Sequence, residues 1–185
     1  VEGEKEYLGR GVSYCATCDG AFFQDYPVAV VGGGDSAVKE ALYLADIASQ
    51  VYLIHRREGF RANQTAVDKM RANDKIELKL NKVVKRIEGE GMMQNLILQD
   101  VKTGEEESLQ VEGLFVSIGL VAAADFIEGL LETEDGYIVT NKNMATSVPG
   151  IFAAGDIRVK TARQVATAVG DGALAGIAVT EYLKE

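Results

Sequence analysis

The 185-residue chain has no tryptophan, one histidine, two prolines and two cysteines. Both cysteines fall in a single C-x-x-C, Cys15-Ala16-Thr17-Cys18. A secreted disulfide scaffold spreads its cysteines along the chain, so that class is excluded. Structural zinc takes about four ligands, and His55 is the one nitrogen donor left, so no metal is expected. Positive charge is scarce as well. Twenty-eight acidic against nineteen basic side chains give a net charge of −9, which argues against a nucleic-acid partner. No apolar run approaches the roughly 18 residues of a membrane helix, and no signal-peptide pattern opens the chain. Neither a membrane nor export is expected, and the cysteine usage reads as a cytoplasmic, redox-active pair. Apolar residues make up 47% and charged residues 25%, an ordinary globular balance. The length fits one large or two small domains. Glycine is in surplus, at 20 residues against a usual share of about 7%, which suits tight strand-to-helix turns.

Residues 1–26 show no period and are punctuated by Gly9, Gly11 and Gly20, so a loop is expected there. A short β-branched run at 28–31 reads as a buried parallel strand. Helix is expected at 36–48, a second buried strand at 51–54, a more polar helix at 63–73 and a strand at 76–80. The period then shortens. Runs at 83–87, 96–98 and 108–111, separated by Gly89-Glu90-Gly91 and Lys102-Thr103-Gly104, predict an antiparallel meander. A buried strand at 113–119, strands at 137–139 and 150–154, a turn at Gly155-Asp156 and a helix at 163–183 complete the reading. No internal repeat or low-complexity linker is present.

Three constellations carry chemistry. Gly32-x-Gly34-x-x-Ala37 follows a predicted strand and opens a predicted helix, the context a dinucleotide fingerprint requires. Glycines there let a pyrophosphate approach the backbone at a helix amino terminus; the alternative is a tight turn with no ligand. At the end of the second strand, NAD or FAD sites place a carboxylate for the ribose hydroxyl. This chain places His55-Arg56-Arg57, with Arg61 close behind. Guanidinium forks suit the 2′-phosphate of NADPH; the alternative is a solvated basic turn paired with Glu58. In Cys15-x-x-Cys18 one thiolate attacks and the other resolves, and Asp19 stands where a proton can be shuttled. The alternative, an inert buried pair, is at odds with Thr17, Asp19 and Gly20 beside it. The motif lacks tryptophan-glycine-proline surroundings and precedes a strand instead of opening a helix after one, which suggests a reductase's disulfide.

The ordered set Gly9-Arg10-Gly11-Val12-Ser13-Tyr14-Cys15-Ala16-Thr17-Cys18-Asp19-Gly20, GGGDSA at 32–37, His55-Arg56-Arg57 with Phe60-Arg61, and Ala153-Ala154-Gly155-Asp156 resembles the bacterial-type (low-molecular-weight) thioredoxin reductases along essentially the whole chain. It is also similar to the flavoprotein subunit of alkyl hydroperoxide reductase. The resemblance implies that Cys15 and Cys18 form the disulfide reduced by flavin, with Cys18 facing it, and that Asp19 is the general acid. It implies that Gly32, Gly33, Gly34, Asp35 and Ser36 hold the NADPH pyrophosphate region. His55, Arg56, Arg57 and Arg61 would hold the 2′-phosphate end, and Ile118 and Gly119 would complete the cofactor-binding set. Gly155, Asp156, Arg163, Gln164 and Val165 would lie along FAD. Arg10 and Phe22 would meet thioredoxin or a thioredoxin-like protein.

The implied fold is α/β: a Rossmann-like NADPH-binding domain with a parallel sheet and a three-stranded antiparallel meander at 7–119, and a partial FAD domain at 1–6 and 120–185 ending in a helix. Only one glycine-rich fingerprint is present, so the first, nucleotide-binding half of an FAD domain is expected to be absent. NADPH binding is then expected to survive in the chain and stable FAD binding, with it reductase activity of the chain alone, to fail. The stretch 120–125 departs from the family's more polar sequence. Rival readings are a non-catalytic NADPH-binding module and the reductase arm of a peroxide-detoxifying system. Family members are homodimers, so a homodimer is expected of the full-length form.

Overall fold

The computed structural model describes residues 1–127 and 129–184. Its elements run β1 (Val12–Ser13), α1 (Ala16–Asp19), β2 (Pro27–Val31), α2 (Asp35–Ala45), β3 (Gln50–His55), α3 (Gln64–Arg71), β4 (Ile76–Leu80), β5 (Lys82–Glu88), β6 (Asn95–Asp100), β7 (Glu106–Gln110), β8 (Gly113–Val116), β9 (Thr133–Glu134), β10 (Tyr137–Ile138) and α4 (Val165–Tyr182). They divide into two compact units, Val1–Gly119 and Leu120–Glu185.

In the first unit a five-stranded sheet has the order β1-β8-β2-β3-β4, and each neighbouring pair is parallel. Successive side chains of a strand face opposite sides, and both sides are apolar here, as a parallel sheet requires. Val28 and Val30 of β2, Val51 and Leu53 of β3 and Phe115 of β8 pack with Ala37, Val38, Ala41 and Leu44 of α2 and with Val67 and Met70 of α3. Ala29, Ile54 and Leu114 point the other way, against Val84, Ile87, Leu96, Leu98 and Leu109 of the meander β5-β6-β7. The result is three layers: helices, parallel sheet, antiparallel sheet. Asn81, at φ 56°, makes the turn that takes the chain from β4 into the meander.

Residues 1–6 depart from the domain division expected from sequence. They fall in the first unit, where Glu2 bridges to Arg86 and the Ile87 amide donates to the Glu2 carbonyl. Residues 1–26 are also not all loop. Val12 and Ser13 add an edge strand beside β8, and Cys15 caps the four-residue α1. The C-x-x-C therefore does open a helix after a strand, contrary to the sequence reading; elements this short carry no period to read.

The second unit has a small core of Ala124, Ile127, Leu131, Ile138 and Ala153. Asp135 (φ 50°) and Gly136 (φ 82°) turn β9 into β10, an antiparallel hairpin. The strand expected at 150–154 is absent; one bridge, Ala145 to Phe152, stands in its place. The Thr146 hydroxyl donates to the Ile151 carbonyl at 2.9 Å, with the Val148 carbonyl a second acceptor at 3.2 Å, and the Thr146 amide donates to the Ile151 carbonyl. These bonds close a tight loop that leaves no extended run to pair. Only Asp171 of α4 is buried. No helix among the described residues is long and apolar enough to cross a membrane.

Candidate functional site

Cys15 and Cys18 form a disulfide across α1. Cys15 is half-buried and Cys18 is exposed, so the pair is neither inert core nor out of reach of an attacking sulfur. The Cys18 amide donates to Cys15 Sγ at 3.2 Å and the Asp19 amide to the Cys15 carbonyl at 3.1 Å. The Asp19 carboxyl is held by a short bond from Ser13, Oγ to Oδ2 at 2.6 Å. The structure thus brings Cys15, Cys18 and Asp19 onto one short segment fixed to the edge of the sheet.

The nucleotide signature gathers at the carboxyl ends of β2, β3 and β8, around a cavity of about 590 Å³. In open α/β sheets this is where ligands bind. Gly32, Gly33, Gly34, Asp35 and Ser36 line it from the turn into α2. His55, Arg56 and Arg61 line it from the end of β3, and Ile118 and Gly119 from the end of β8. Three backbone bonds fix the rim. The Gly32 amide donates to Ile54 O at 3.1 Å, Ser117 to Val31 O at 2.8 Å, and Arg61 to Gly33 O at 2.8 Å. The last of these brings Arg61 beside the glycine turn. Asp35 Oδ1 accepts the Asn63 amide at 2.8 Å, joining the starts of α2 and α3.

The cavity suits a dinucleotide phosphate on two counts. Gly34 caps α2 and carries no side chain to close the first-turn N–H groups, which a helix leaves without internal partners. A Cβ at Gly34 would meet nothing within 4 Å, so the approach to those donors is open. A Cβ at Gly33 would lie 2.0 Å from His55 Cε1, so the imidazole is the floor of the turn. That ring stacks on Phe60 at 5.2 Å, and its Nε2 lies 3.2 Å from Gly59 O. Burial pushes His55 below its usual value, and Arg56, Arg57 and Arg61 push it further, against the Gly59 bond. The positive charge lining the cavity comes from Arg56, Arg61, Lys82 and the Val1 amino group, the last two ion-paired with Asp100 and Glu4. Arg57 lies outside the lining. Glu58 does not neutralise this turn; its carboxylate takes Lys102 as partner, and that ammonium holds it below the usual carboxylate range.

Gly155, Asp156, Arg163, Gln164 and Val165 belong to the second unit. The Gly155 amide donates to Asp171 Oδ2 at 3.1 Å. Arg163 lies over the Tyr137 ring, 3.8 Å from its centroid, and its Nε donates to the Asp156 carbonyl at 3.4 Å. The Gln164 side chain and Thr167 form a capping box at the start of α4, which satisfies donors that an anion would need.

The family model of the pyridine nucleotide-disulphide oxidoreductases matches residues 1–172. The chain belongs to this family. A thioredoxin reductase of Bacillus subtilis is 49% identical over all of the chain and 59% of its own length. The crystal structure of a thioredoxin reductase from Streptococcus pyogenes superposes with a TM-score of 0.95 at 46% identity, over all of this chain and 61% of that one. A thioredoxin reductase from Giardia duodenalis gives 0.89 at 37% identity, again over all of this chain and 61% of that one. The chain thus spans about three fifths of the length of the relatives it matches.

For a pyridine nucleotide-disulphide oxidoreductase two further residues, Ser117 and Glu40, stand outside the sequence motifs, and a third, Ser13, lay inside a motif without a role assigned to it. Ser117 lines the cavity where β8 ends. Glu40, one turn into α2, hydrogen-bonds Ser117, while burial raises its carboxyl above the usual range. Its Oε2 is buried without a partner among the described residues. Ser13 is one of two buried polar residues described, at 5% exposure, and the other is Asp171. A serine in a strand pattern or a glutamate on a helix is unremarked in sequence; only burial singles them out.

Proposed function

We propose that the chain carries the pyridine-nucleotide site and the redox disulfide of an NADPH-dependent thioredoxin reductase. Residues through 119 serve as the nucleotide-binding domain and 120–185 as part of an FAD domain. The reading rests on one observation above all: Arg56 and Arg61 line the same cavity as the uncapped first turn of α2, within the unit that holds an accessible Cys15–Cys18 disulfide. NADPH held there would supply a hydride, and in the whole protein an FAD would take it and serve as the source of electrons for the disulfide. Gly32, Gly34 and Ser36 admit the pyrophosphate to the N–H groups of α2, and Arg56 and Arg61 pair with the 2′-phosphate, Arg57 adding charge from outside the lining. At the disulfide, Asp19 holds the proton that one leaving thiolate takes. The reduced pair then passes electrons to thioredoxin, with Arg10 and Phe22, both exposed, on the docking face. Both cysteines being committed to one redox pair supports a reducing, cytoplasmic setting. The likeness to thioredoxin reductases supports a homodimer for the whole protein.

The test is a fluorescence titration of the chain with NADPH and NADH. A charge-assisted hydrogen bond contributes about 1.5–3 kcal/mol, so Arg56→Gln is expected to weaken NADPH about tenfold or more while leaving NADH within about twofold. Equal loss for both nucleotides would remove the 2′-phosphate assignment.

A further inference from the structure

Ser13 has an unusual set of partners for a buried hydroxyl. Its Oγ donates to Asp19 Oδ2 at 2.6 Å, accepts the Cys15 amide at 3.0 Å, and lies 3.4 Å from the Cys15 carbonyl, a second acceptor for its proton. A hydroxyl has one proton and two lone pairs. The Cys15 amide occupies one lone pair in every state. When Asp19 is ionised, the Ser13 proton points to Oδ2. When Asp19 is protonated on Oδ2, the acid donates to the second lone pair of Ser13, and the Ser13 proton turns to the Cys15 carbonyl. Each arrangement leaves Oγ, Oδ2 and the Cys15 amide paired. A buried polar group left unpaired costs about 1–3 kcal/mol, and this set carries no such cost in either protonation state.

We propose that Ser13 is a positioning residue for the disulfide chemistry: its hydroxyl holds the Asp19 carboxyl on the Cys15–Cys18 segment and serves both protonation states, so that Asp19 can release and regain a proton as the S–S bond opens and closes. This rests on the reading of Asp19 as the acid. With a small dithiol as reductant, a dithiol thiolate bonds to one cysteine sulfur and the Cys15–Cys18 bond breaks. Its electron pair leaves on the other sulfur, which takes the proton from Asp19, and Ser13 turns to donate to the new carboxylate. The second dithiol sulfur gives up its proton, which restores Asp19 through solvent, and displaces the first cysteine as a thiolate that is protonated from water. The dithiol is oxidised to its cyclic disulfide, and the cysteine pair gains two electrons and two protons.

The experiment is the rate of disulfide reduction in this chain by dithiothreitol between pH 6 and 9, normalised to dithiothreitol thiolate and read by alkylation and mass. Asp19→Asn is expected to slow it about tenfold or more, in line with general acid catalysis. Ser13→Ala is expected to slow it about 3- to 10-fold and to flatten the pH profile, Ser13→Thr to restore most of the rate, and Ser13→Ala to cost nothing further on the Asp19→Asn background. NADPH affinity, read alongside, reports that each variant is folded. Wild-type rates in Ser13→Ala would overturn the proposal. So would a Ser13→Ala loss that repeats in full on the Asp19→Asn background, because the hydroxyl would then act on the Cys15 backbone alone. A wild-type rate in Asp19→Asn would remove the acid assignment together with the proposal, and the nucleotide titration would stand apart from both.

Discussion

Three consecutive glycines at the mouth of the cavity do three different jobs, and single alanine substitutions separate them. A Cβ at Gly32 would fall 2.2 Å from the Ser117 carbonyl oxygen and 2.6 Å from Ala37 Cβ. Both belong to packed backbone or to the helix that must lie close, so no rotamer relieves the clash. Gly32→Ala is expected to destabilise the first unit by about 3 kcal/mol, the upper end for overpacking. At Gly33 the obstacle is the His55 ring, which can swing at the expense of its stack on Phe60; about 1–2 kcal/mol is expected, with weaker NADPH binding. Gly34 has open space, and its φ of −100° is available to alanine. Gly34→Ala is therefore expected to stay within about 1 kcal/mol of the parent, the difference between these residues as helix caps, yet to weaken NADPH at least tenfold by filling the approach to the first-turn amides. Urea midpoints and nucleotide titrations read the two effects separately. Unchanged affinity in Gly34→Ala would mean that no phosphate rests on α2.

At the scale of elements, what could be read from sequence followed from burial on both faces. The runs behind β2 and β3 are continuous and apolar because helices cover one side and the meander the other, whereas the edge strand β4 alternates, Ile76 and Leu78 facing the helices, and has the bounds expected, Ile76–Leu80. α2 was expected to reach residue 48 and stops at Ala45, where the Asp46, Ile47 and Ala48 amides turn back to Tyr43 and Leu44 carbonyls; no glycine or proline marks that stop. The β9–β10 hairpin went half unread, although Asp135-Gly136 is a strong short-range turn signal. The basic cluster shows a different limit. Arg56 and Arg57 lie in the bend beyond β3, and adjacency in the motif does not give them the same place: Arg56 lines the cavity and Arg57 does not. The start of the polar helix was legible, since Asn63 caps α3 by accepting the Thr65 amide at 3.0 Å. Asn63→Ala is expected to cost about 1 kcal/mol in urea unfolding without changing nucleotide affinity, because the bond to Asp35 comes from the Asn63 backbone amide. A stability loss under about 0.3 kcal/mol would show that this cap contributes less than caps usually do.

Across the whole molecule, two carboxylates that no motif marked make the two units respond to pH with opposite sign. Glu40 of the first unit is raised by burial, against the Ser117 bond. Its native value therefore lies above the unfolded one. The wild type bears no penalty in acid, below about pH 4 where the group is protonated in both states. The penalty grows as pH rises through the raised native value. Asp171 of the second unit is held low, chiefly by Lys160 at 2.8 Å, with Arg158 at 3.1 Å and the Gly155 amide adding to it. Its stabilisation is complete above the ordinary aspartate range and is lost as pH falls through the lowered native value. NMR-monitored urea unfolding, resolved by unit, reads both. Glu40→Gln is expected to raise the midpoint of the first unit at pH 8, by about 1 kcal/mol, the low end for a buried polar group without a partner because Glu40 is only partly buried, and to match the parent near pH 4. Asp171→Asn is expected to lower the midpoint of the second unit at pH 7 and to converge on the parent in stronger acid. A Glu40→Gln midpoint that falls at pH 8 would mean that the charged carboxylate is stabilised in the fold, and that the partnerless Oε2 is not the dominant cost at the Ser117 corner of the cavity.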